Sequence, residues 1–419
     1  MKTKAEASSS SVYASLLLCV VSAAAGAAVS HLVSHLRKKK TATTRDPETD
    51  HSIGHELIWN SIGGAMNAAM LHVGDRLKLY QALRELCRES ENSHVTAISL
   101  AEHTGLNQRW LREWLAQQAG MGVLKLFDGT GDDDASLKYR LPMATASVFA
   151  DPLSTEYDIS MIQMVPSLVN RAKTMLPEAF ATGIGRPYDD ADISEAIDRH
   201  HAKHVRDYVI PVMLPSVRDG GLVDMLEDGI DVADLGCGAG VLLVHLAKQY
   251  PKSTFHGFEI SSVALERAAF NVAKEKLSNV VFHDANEQGE SLEDFANTFE
   301  LVLTYDVLHD STQPQDLIRQ VKIAMKPKVG LWLLADLPAQ PSVRDNLKKL
   351  SAAPMYYSLS TCLCMSCALS EPDGAGLGSL GFSVPKAQEM LTNGGFSKVQ
   401  VLAENKDNAR WFLVEEQVR

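Results

Sequence analysis

Apolar positions recur with one period in the first part of the chain and with two in the second, and the change divides it. Leu57, Met66, Met70, Val73, Leu77, Leu79 and Tyr80 recur at roughly helical spacing, which predicts a helix over 53–85. Residues 97–103 predict a short amphipathic helix and Gly105 a turn. Asn107 then caps a second helix over 108–118. Two short apolar runs, 123–127 and 138–141, flank a polar Gly/Asp stretch and predict the strands of a wing. Helix, turn, helix and wing together predict a winged-helix domain over 53–145. Residues 150–220 mix aromatic and charged side chains, punctuated by Gly183, Gly185 and Pro187, and predict a helical linking region.

From residue 231 strand and helix patterns alternate. Strands are predicted at 231–235, 253–260, 280–283, 301–305 and 330–336, and helices at 241–249, 262–277 and 385–393. Two further strands, 398–403 and 410–415, enclose the polar turn 405–408. Such alternation builds a parallel sheet with helices on both faces, and the closing pair predicts an antiparallel edge. The expected fold class is α/β over 221–419, behind the winged-helix domain.

The N-terminus departs from this soluble pattern. Residues 12–36 carry no Asp, Glu, Lys or Arg and are followed by Arg37, Lys38, Lys39 and Lys40. About 20 apolar residues span a bilayer core. The segment therefore predicts a membrane anchor with the basic cluster and the rest of the chain in the cytosol. A signal peptide would carry its charge ahead of the apolar run, and a transit peptide would be Arg-rich and amphipathic. Residues 37–52 read as a linker.

Composition narrows the function. The 419 residues carry a net charge of −12, whereas a grip on nucleic acid draws its affinity from cations on phosphates. The second helix of the winged-helix domain offers Arg109 and Arg112 but also Glu113, and the wing tip is Asp132-Asp133-Asp134. No nucleic-acid partner is expected. Homodimerisation or covering a pocket is the expected role of that domain. Six cysteines in this length suit reduced thiols rather than a disulfide scaffold.

The strongest chemical signal is Val232-Ala233-Asp234-Leu235-Gly236-Cys237-Gly238-Ala239-Gly240, an apolar strand that ends in a glycine-rich turn and opens a helix. Ligands of such sheets bind beyond the carboxyl ends of the strands. The dinucleotide fingerprint G-x-G-x-x-G requires glycine at 241, where Val241 stands. A nucleotide without a pyrophosphate suits this loop. Glu259 ends the next strand, about 20 residues on, where a carboxylate accepts hydrogen bonds from ribose hydroxyls. Asp284 follows the third strand, placed to accept an adenine amino group, with Ala285 against the ring; Asp306 follows the fourth.

These residues resemble the class I S-adenosylmethionine-dependent methyltransferases over roughly 225–419. Phe255-His256-Gly257-Phe258-Glu259-Ile260-Ser261, Tyr305-Asp306-Val307-Leu308-His309-Asp310 and Gly374-Ala375-Gly376-Leu377-Gly378 are similar to the branch that pairs this domain with an N-terminal winged helix. The resemblance implies S-adenosyl-L-methionine as cofactor, with contacts at Asp234, Gly236, Gly238, Glu259, Asp284 and Asp306; the loop pattern adds Gly240, and the strand end Ala285. It also implies a Rossmann-like sheet and methyl transfer. The acceptor, which the resemblance does not identify, is expected to be a small molecule held between the sheet's carboxyl edge and the linking helices.

His309 and Asp310 are the candidates for acid–base work, because a hydroxyl acceptor must lose its proton and histidine titrates near neutrality. His200 and His204 stand at i and i+4, a metal-ligand spacing, but lack a Glu or Cys neighbour and read as surface or pocket histidines. Cys362, Cys364 and Cys367 read as buried thiols, with a metal or an arsenite-type thiophilic substrate as alternatives. No metal site is predicted. The rival from another class is a non-catalytic winged-helix regulator that senses S-adenosylmethionine.

Overall fold

Residues 49–88, 93–127, 136–187, 190–286, 291–404 and 409–416 are described by a computed structural model. The predicted anchor at 12–36, the wing tip Asp132–Asp134 and the turn 405–408 lie outside them. Among the described residues no helix is long and apolar enough to cross a membrane. The chain divides into two compact units, Met1–Ile162 and Gln163–Arg419.

In the first unit the helix predicted over 53–85 is broken. Helix α1 spans His51–Arg76 and α2 spans Leu79–Leu86. Between them Lys78 takes a left-handed φ of 54°. The break re-aims Leu79, Tyr80 and Leu83, all at most 1% exposed, into a core with Leu100, Leu111 and Leu115. Gly74 is needed here, since a Cβ would lie 2.6 Å from the rings of both Trp114 and Tyr80. Helix α3, Ala97–Thr104, starts on a Thr96/Ser99 capping box. Helix α4, Gln108–Met121, is capped by Asn107 as predicted but runs on until Gly122, at φ 89°, ends it. Strands β1, Lys125–Phe127, and β2, Lys138–Arg140, pair antiparallel as the wing.

The second unit holds one seven-stranded sheet. Its strands are β3 Asp231–Leu235, β4 Thr254–Glu259, β5 Val280–Asp284, β6 Leu301–Tyr305, β7 Leu331–Asp336, β8 Lys398–Glu404 and β9 Arg410–Glu415. The order is β5-β4-β3-β6-β7-β9-β8, parallel from β5 to β7, with β9 antiparallel to both neighbours. β7 and β9 are buried along their whole length, as expected of strands covered on both faces. Alternate residues feed opposite cores: Leu303, Leu333 and Leu413 one, Val302, Leu334 and Val414 the other. The strand order reverses between β3 and β6, which opens a crevice at their carboxyl ends.

The linking region is helical. Its longest helix, Ala191–His204, continues into wider π turns over Val205–Met213, which contain Pro211. Proline has no N–H for the usual ladder, and a widened turn absorbs the loss. Helices at Pro314–Ala324 and Val343–Lys349 are not among the predicted elements, although Pro314 at the first turn with Ile318, Val321 and Ala324 on one face marks the first and the Ser342 cap marks the second. A third, Ala353–Leu359, runs through a π turn, Ser360–Cys364, into Met365–Ala368.

Candidate active site

The loop after β3 is made by its glycines. Gly236, Gly238 and Gly240 take φ values of 65°, 55° and 68°, a region that costs other residues about 1–2 kcal/mol each. A Cβ on Gly236 would stand 2.7 Å from Val307 Cγ2, and one on Gly240 2.7 Å from Phe282 Cζ. The backbone thus closes onto the ends of β5 and β6 where a side chain would hold it off.

Glu259 ties this loop to the next. Its Oε2 accepts from the Gly238 N–H at 2.9 Å, and its Oε1 accepts from Ile260 N and Ser261 N at 2.9 and 2.8 Å. Asp234 is 4% exposed. Burial, then the nearby Glu259 charge, push its carboxyl up to about 8. From the Ala191–His204 helix Asp198 accepts weakly from Ala239 N at 3.4 Å and pairs with Arg267 at 2.7 Å. Burial raises it to about 6 despite that guanidinium. Asp284 and Ala285 stand exposed at the end of β5. Asp284 Oδ1 accepts from Asn286 N and Nδ2, and Ala285 N donates to Glu259 O at 3.0 Å.

A second group gathers at the ends of β6 and β7. His309, 1% exposed, lies 2.8 Å through Nδ1 from Asp336 Oδ1, which also accepts from Leu337 N at 2.8 Å. An acceptor-only carboxylate places the ring proton on Nδ1. Nε2 then faces Asp310 Oδ1 at 3.1 Å, an ion-pair distance without hydrogen-bond alignment. Burial alone would lower the imidazole's pKa, but Asp336 and Asp310 outweigh it and hold it well above the ordinary value. Asp306 sits beside it at a left-handed φ of 55°, with its N–H on Ala335 O at 3.0 Å. Burial raises Asp306 to about 7, against the opposing charge of His309. Asp306 Oδ1, Asp336 Oδ2 and Tyr356 Oη are buried with no hydrogen-bond partner among the described residues. The glycine segment found in the sequence closes over this loop: Gly378 N donates to His309 O at 3.0 Å.

The predicted residues therefore form two sets, the glycine loop with Asp234 and Glu259, and Asp306 with His309 and Asp310. Of the three clustered histidines, His201 rather than His200 or His204 approaches Asp306, at 4.0 Å, while His204 stacks on Tyr208. Burial, then His200 and His204, lower His201 to about 3 although 26% of its side chain remains exposed. The thiols of Cys362, Cys364 and Cys367 do not converge; only Cys364 lies among close metal-binding donors, with His309 and Asp310. In a helix, positions two apart face nearly opposite ways. The sequence reading missed Asp198, Asp336 and Tyr356. An aspartate ending the otherwise apolar run of β7 is a signal for Asp336; nothing local marks the other two.

This fold and glycine loop define a class, the S-adenosylmethionine-dependent methyltransferases. Residues 226–410 match the family model of a methyltransferase domain, and residues 65–150 that of an Rv2258c-like winged HTH domain. The chain thus pairs a methyltransferase domain with an N-terminal winged-helix domain. No curated protein matches it in sequence. Among solved structures it is similar to human N-acetylserotonin methyltransferase in complex with SAM, at 16% identity and TM-score 0.62, over 90% of this chain and 100% of that one. An O-methyltransferase family protein from Burkholderia thailandensis aligns at 14% identity and TM-score 0.60, over 88% and 98% of the two chains. The mitomycin 7-O-methyltransferase MmcR aligns at 18% and 0.57, over 87% and 98%. The cofactor is S-adenosyl-L-methionine, and the loop that three positive-φ glycines hold beside Glu259 fits it.

Proposed function

We propose that this enzyme methylates a hydroxyl oxygen of a small molecule, with His309 as general base. The observation that carries the reading is the buried His309–Asp336 pair at the sheet's carboxyl edge. Gly236, Gly238 and Gly240, with Asp234 and Glu259, would hold the cofactor's ribose and methionine side; Asp284 and Ala285 would take the adenine, and Asp306 would lie by the methionine portion. When bound, S-adenosylmethionine supplies an electrophilic methyl group. His309 Nε2 takes the acceptor's hydroxyl proton, and Asp336 at Nδ1 stabilises the imidazolium that results. Asp310, beside Nε2, keeps that nitrogen turned toward the acceptor. Holding donor and acceptor in line supplies much of the remaining acceleration. O-methylation is also what the names of the Burkholderia protein and the mitomycin enzyme state for those proteins. A labelled-methyl screen of metabolite pools with the full chain tests the reading. Label in a base-stable ether supports it, and label confined to amines or thiols overturns it.

Two further features belong to the same reading. Leu57, Ile58, Trp59, Ile62 and Met66 stand exposed on α1, which favours homodimerisation through the winged-helix unit. The 12–36 segment would anchor the enzyme with its catalytic part in the cytosol, and this rests on the sequence alone. Nucleic acid is not a proposed partner, since Arg109 is paired to Glu113 at 2.6 Å.

A further inference from the structure

We propose that His309, Asp310 and Cys364 form a binding site for a borderline-soft divalent cation of the zinc type, and that its occupancy shuts off methyl transfer. One nitrogen, one oxygen and one sulfur donor of these residues lie within 4.8 Å of one another. Around a tetrahedral zinc, with bonds of about 2.0–2.3 Å, donors stand roughly 3.3–3.8 Å apart. His309 Nε2 and Asp310 Oδ1 are already 3.1 Å apart, so closure asks only for about 1 Å of movement at side-chain tips.

Three independent features point to a cation. The first is orientation. The Nδ1 of His309 is held by Asp336 Oδ1 at 2.8 Å, and Asp336 is 1% exposed. A carboxylate on the far nitrogen is how proteins aim and enrich an imidazole that ligates metal through the other. The second is spare acceptor capacity. Asp310 Oδ1 lies 3.1 Å from His309 Nε2 out of hydrogen-bond alignment and has no hydrogen-bond partner among the described residues. The third is the donor set. A thiol and an imidazole beside one carboxylate suit zinc, cadmium or cobalt, and do not suit magnesium or calcium, which take oxygen. Asp306, His309 and Asp336 also lie close together. A cation held by that second set through Nδ1 would break the His309–Asp336 hydrogen bond, so the Nε2 side is the better site.

Three protein ligands leave a fourth position open, unlike a closed structural zinc site. On binding, the Cys364 Sγ–H proton and any proton on His309 Nε2 leave to solvent, and metal–sulfur and metal–nitrogen bonds form. Nε2 can then no longer take a proton from an acceptor. The blocking half of the proposal rests on His309 being the base; the binding half does not.

The test uses the full chain with a thiol-free reductant and no cofactor. Cadmium titration should raise a thiolate-to-metal ultraviolet band that saturates at one equivalent. Cys364→Ser should abolish the band, while Cys362→Ser and Cys367→Ser should keep it. Binding of S-adenosylhomocysteine to Cys364→Ser, measured by calorimetry, shows that this variant is folded. His309→Gln should weaken cadmium at least tenfold. No band, or a band that survives Cys364→Ser, overturns the site. Zinc should inhibit methyl transfer along a one-site curve that chelator reverses, shifted at least tenfold in Cys364→Ser relative to its own metal-free rate. A Cys364-dependent band without inhibition overturns the blocking role and leaves the site standing. His309→Ala with full activity would instead overturn the base assignment.

Discussion

The two ends of the crevice are built from different material. At β3 and β4 the proposed cofactor end is mostly backbone, shaped by Gly236, Gly238 and Gly240 and tied by Glu259. At β6 and β7 the groups are ionisable side chains, with Asp336 and His309 buried and Asp306 and Asp310 partly exposed beside them. A backbone cradle binds a constant ligand by shape. A cluster of coupled charges stores a proton preference that chemistry can use. If the first end binds the cofactor and the second carries the chemistry, as proposed, binding and reaction are separable and each end should fail in its own way.

The largest expected effect is at the charged end. His309→Ala should lower turnover by about 10²–10⁴, measured in single turnover at saturating cofactor. At the backbone end, Gly240→Ala forces a Cβ to 2.7 Å from Phe282 Cζ at φ 68°. Its S-adenosylhomocysteine affinity should fall by on the order of tenfold, about 1.4 kcal/mol, while single-turnover chemistry at saturation changes little. Loss of both together would erase the distinction between the ends.

Acidity sharpens the comparison further. Because Asp336 and Asp310 raise the His309 pKa, the neutral base gains population only as pH rises past the ordinary histidine range. The rate should therefore climb with pH above neutrality. Asp336→Asn removes one raising charge and should move that limb to lower pH. A limb that stays in place means another group is titrating.

An effect of a different kind concerns stability. The folded-state pKa of Asp234 is raised, to about 8. Such a group favours the fold fully below its unfolded pKa, about 3.9, and loses that contribution as pH rises through the folded value. The cofactor-free enzyme should lose stability between roughly pH 4 and 8. Asp234→Asn should be about 1–3 kcal/mol more stable than the wild type at pH 8 and little different at pH 4. Thermal melts across that range decide it.

The same contrast explains what the sequence made legible. The glycine loop, Glu259 and the strand alternation are local patterns, and the sheet was readable from them down to its antiparallel edge. The winged-helix elements were equally local, apart from the break at Lys78, where packing of Tyr80 and Leu83 overrode a continuous helical period. The charged end is assembled across long separations. Asp336 meets His309 from 27 residues away, and Cys364 comes from a helix that no predicted element contained. The i, i+4 spacing singles out His200 and His204, whereas it is His201 that approaches Asp306, with both His201 and His204 packed on Tyr305. Periodicity reports which face is buried, not which distant carboxylate it will find there.

The most direct test of the central claim is calorimetric titration of S-adenosylhomocysteine into Glu259→Ala and His309→Ala side by side. The wild type should bind at micromolar levels, roughly −8 kcal/mol. If one end binds and the other reacts, Glu259→Ala loses at least tenfold in affinity and His309→Ala stays within about threefold of the wild type. If Glu259→Ala binds normally, or if affinity falls equally in both variants, the division of labour along the crevice is wrong.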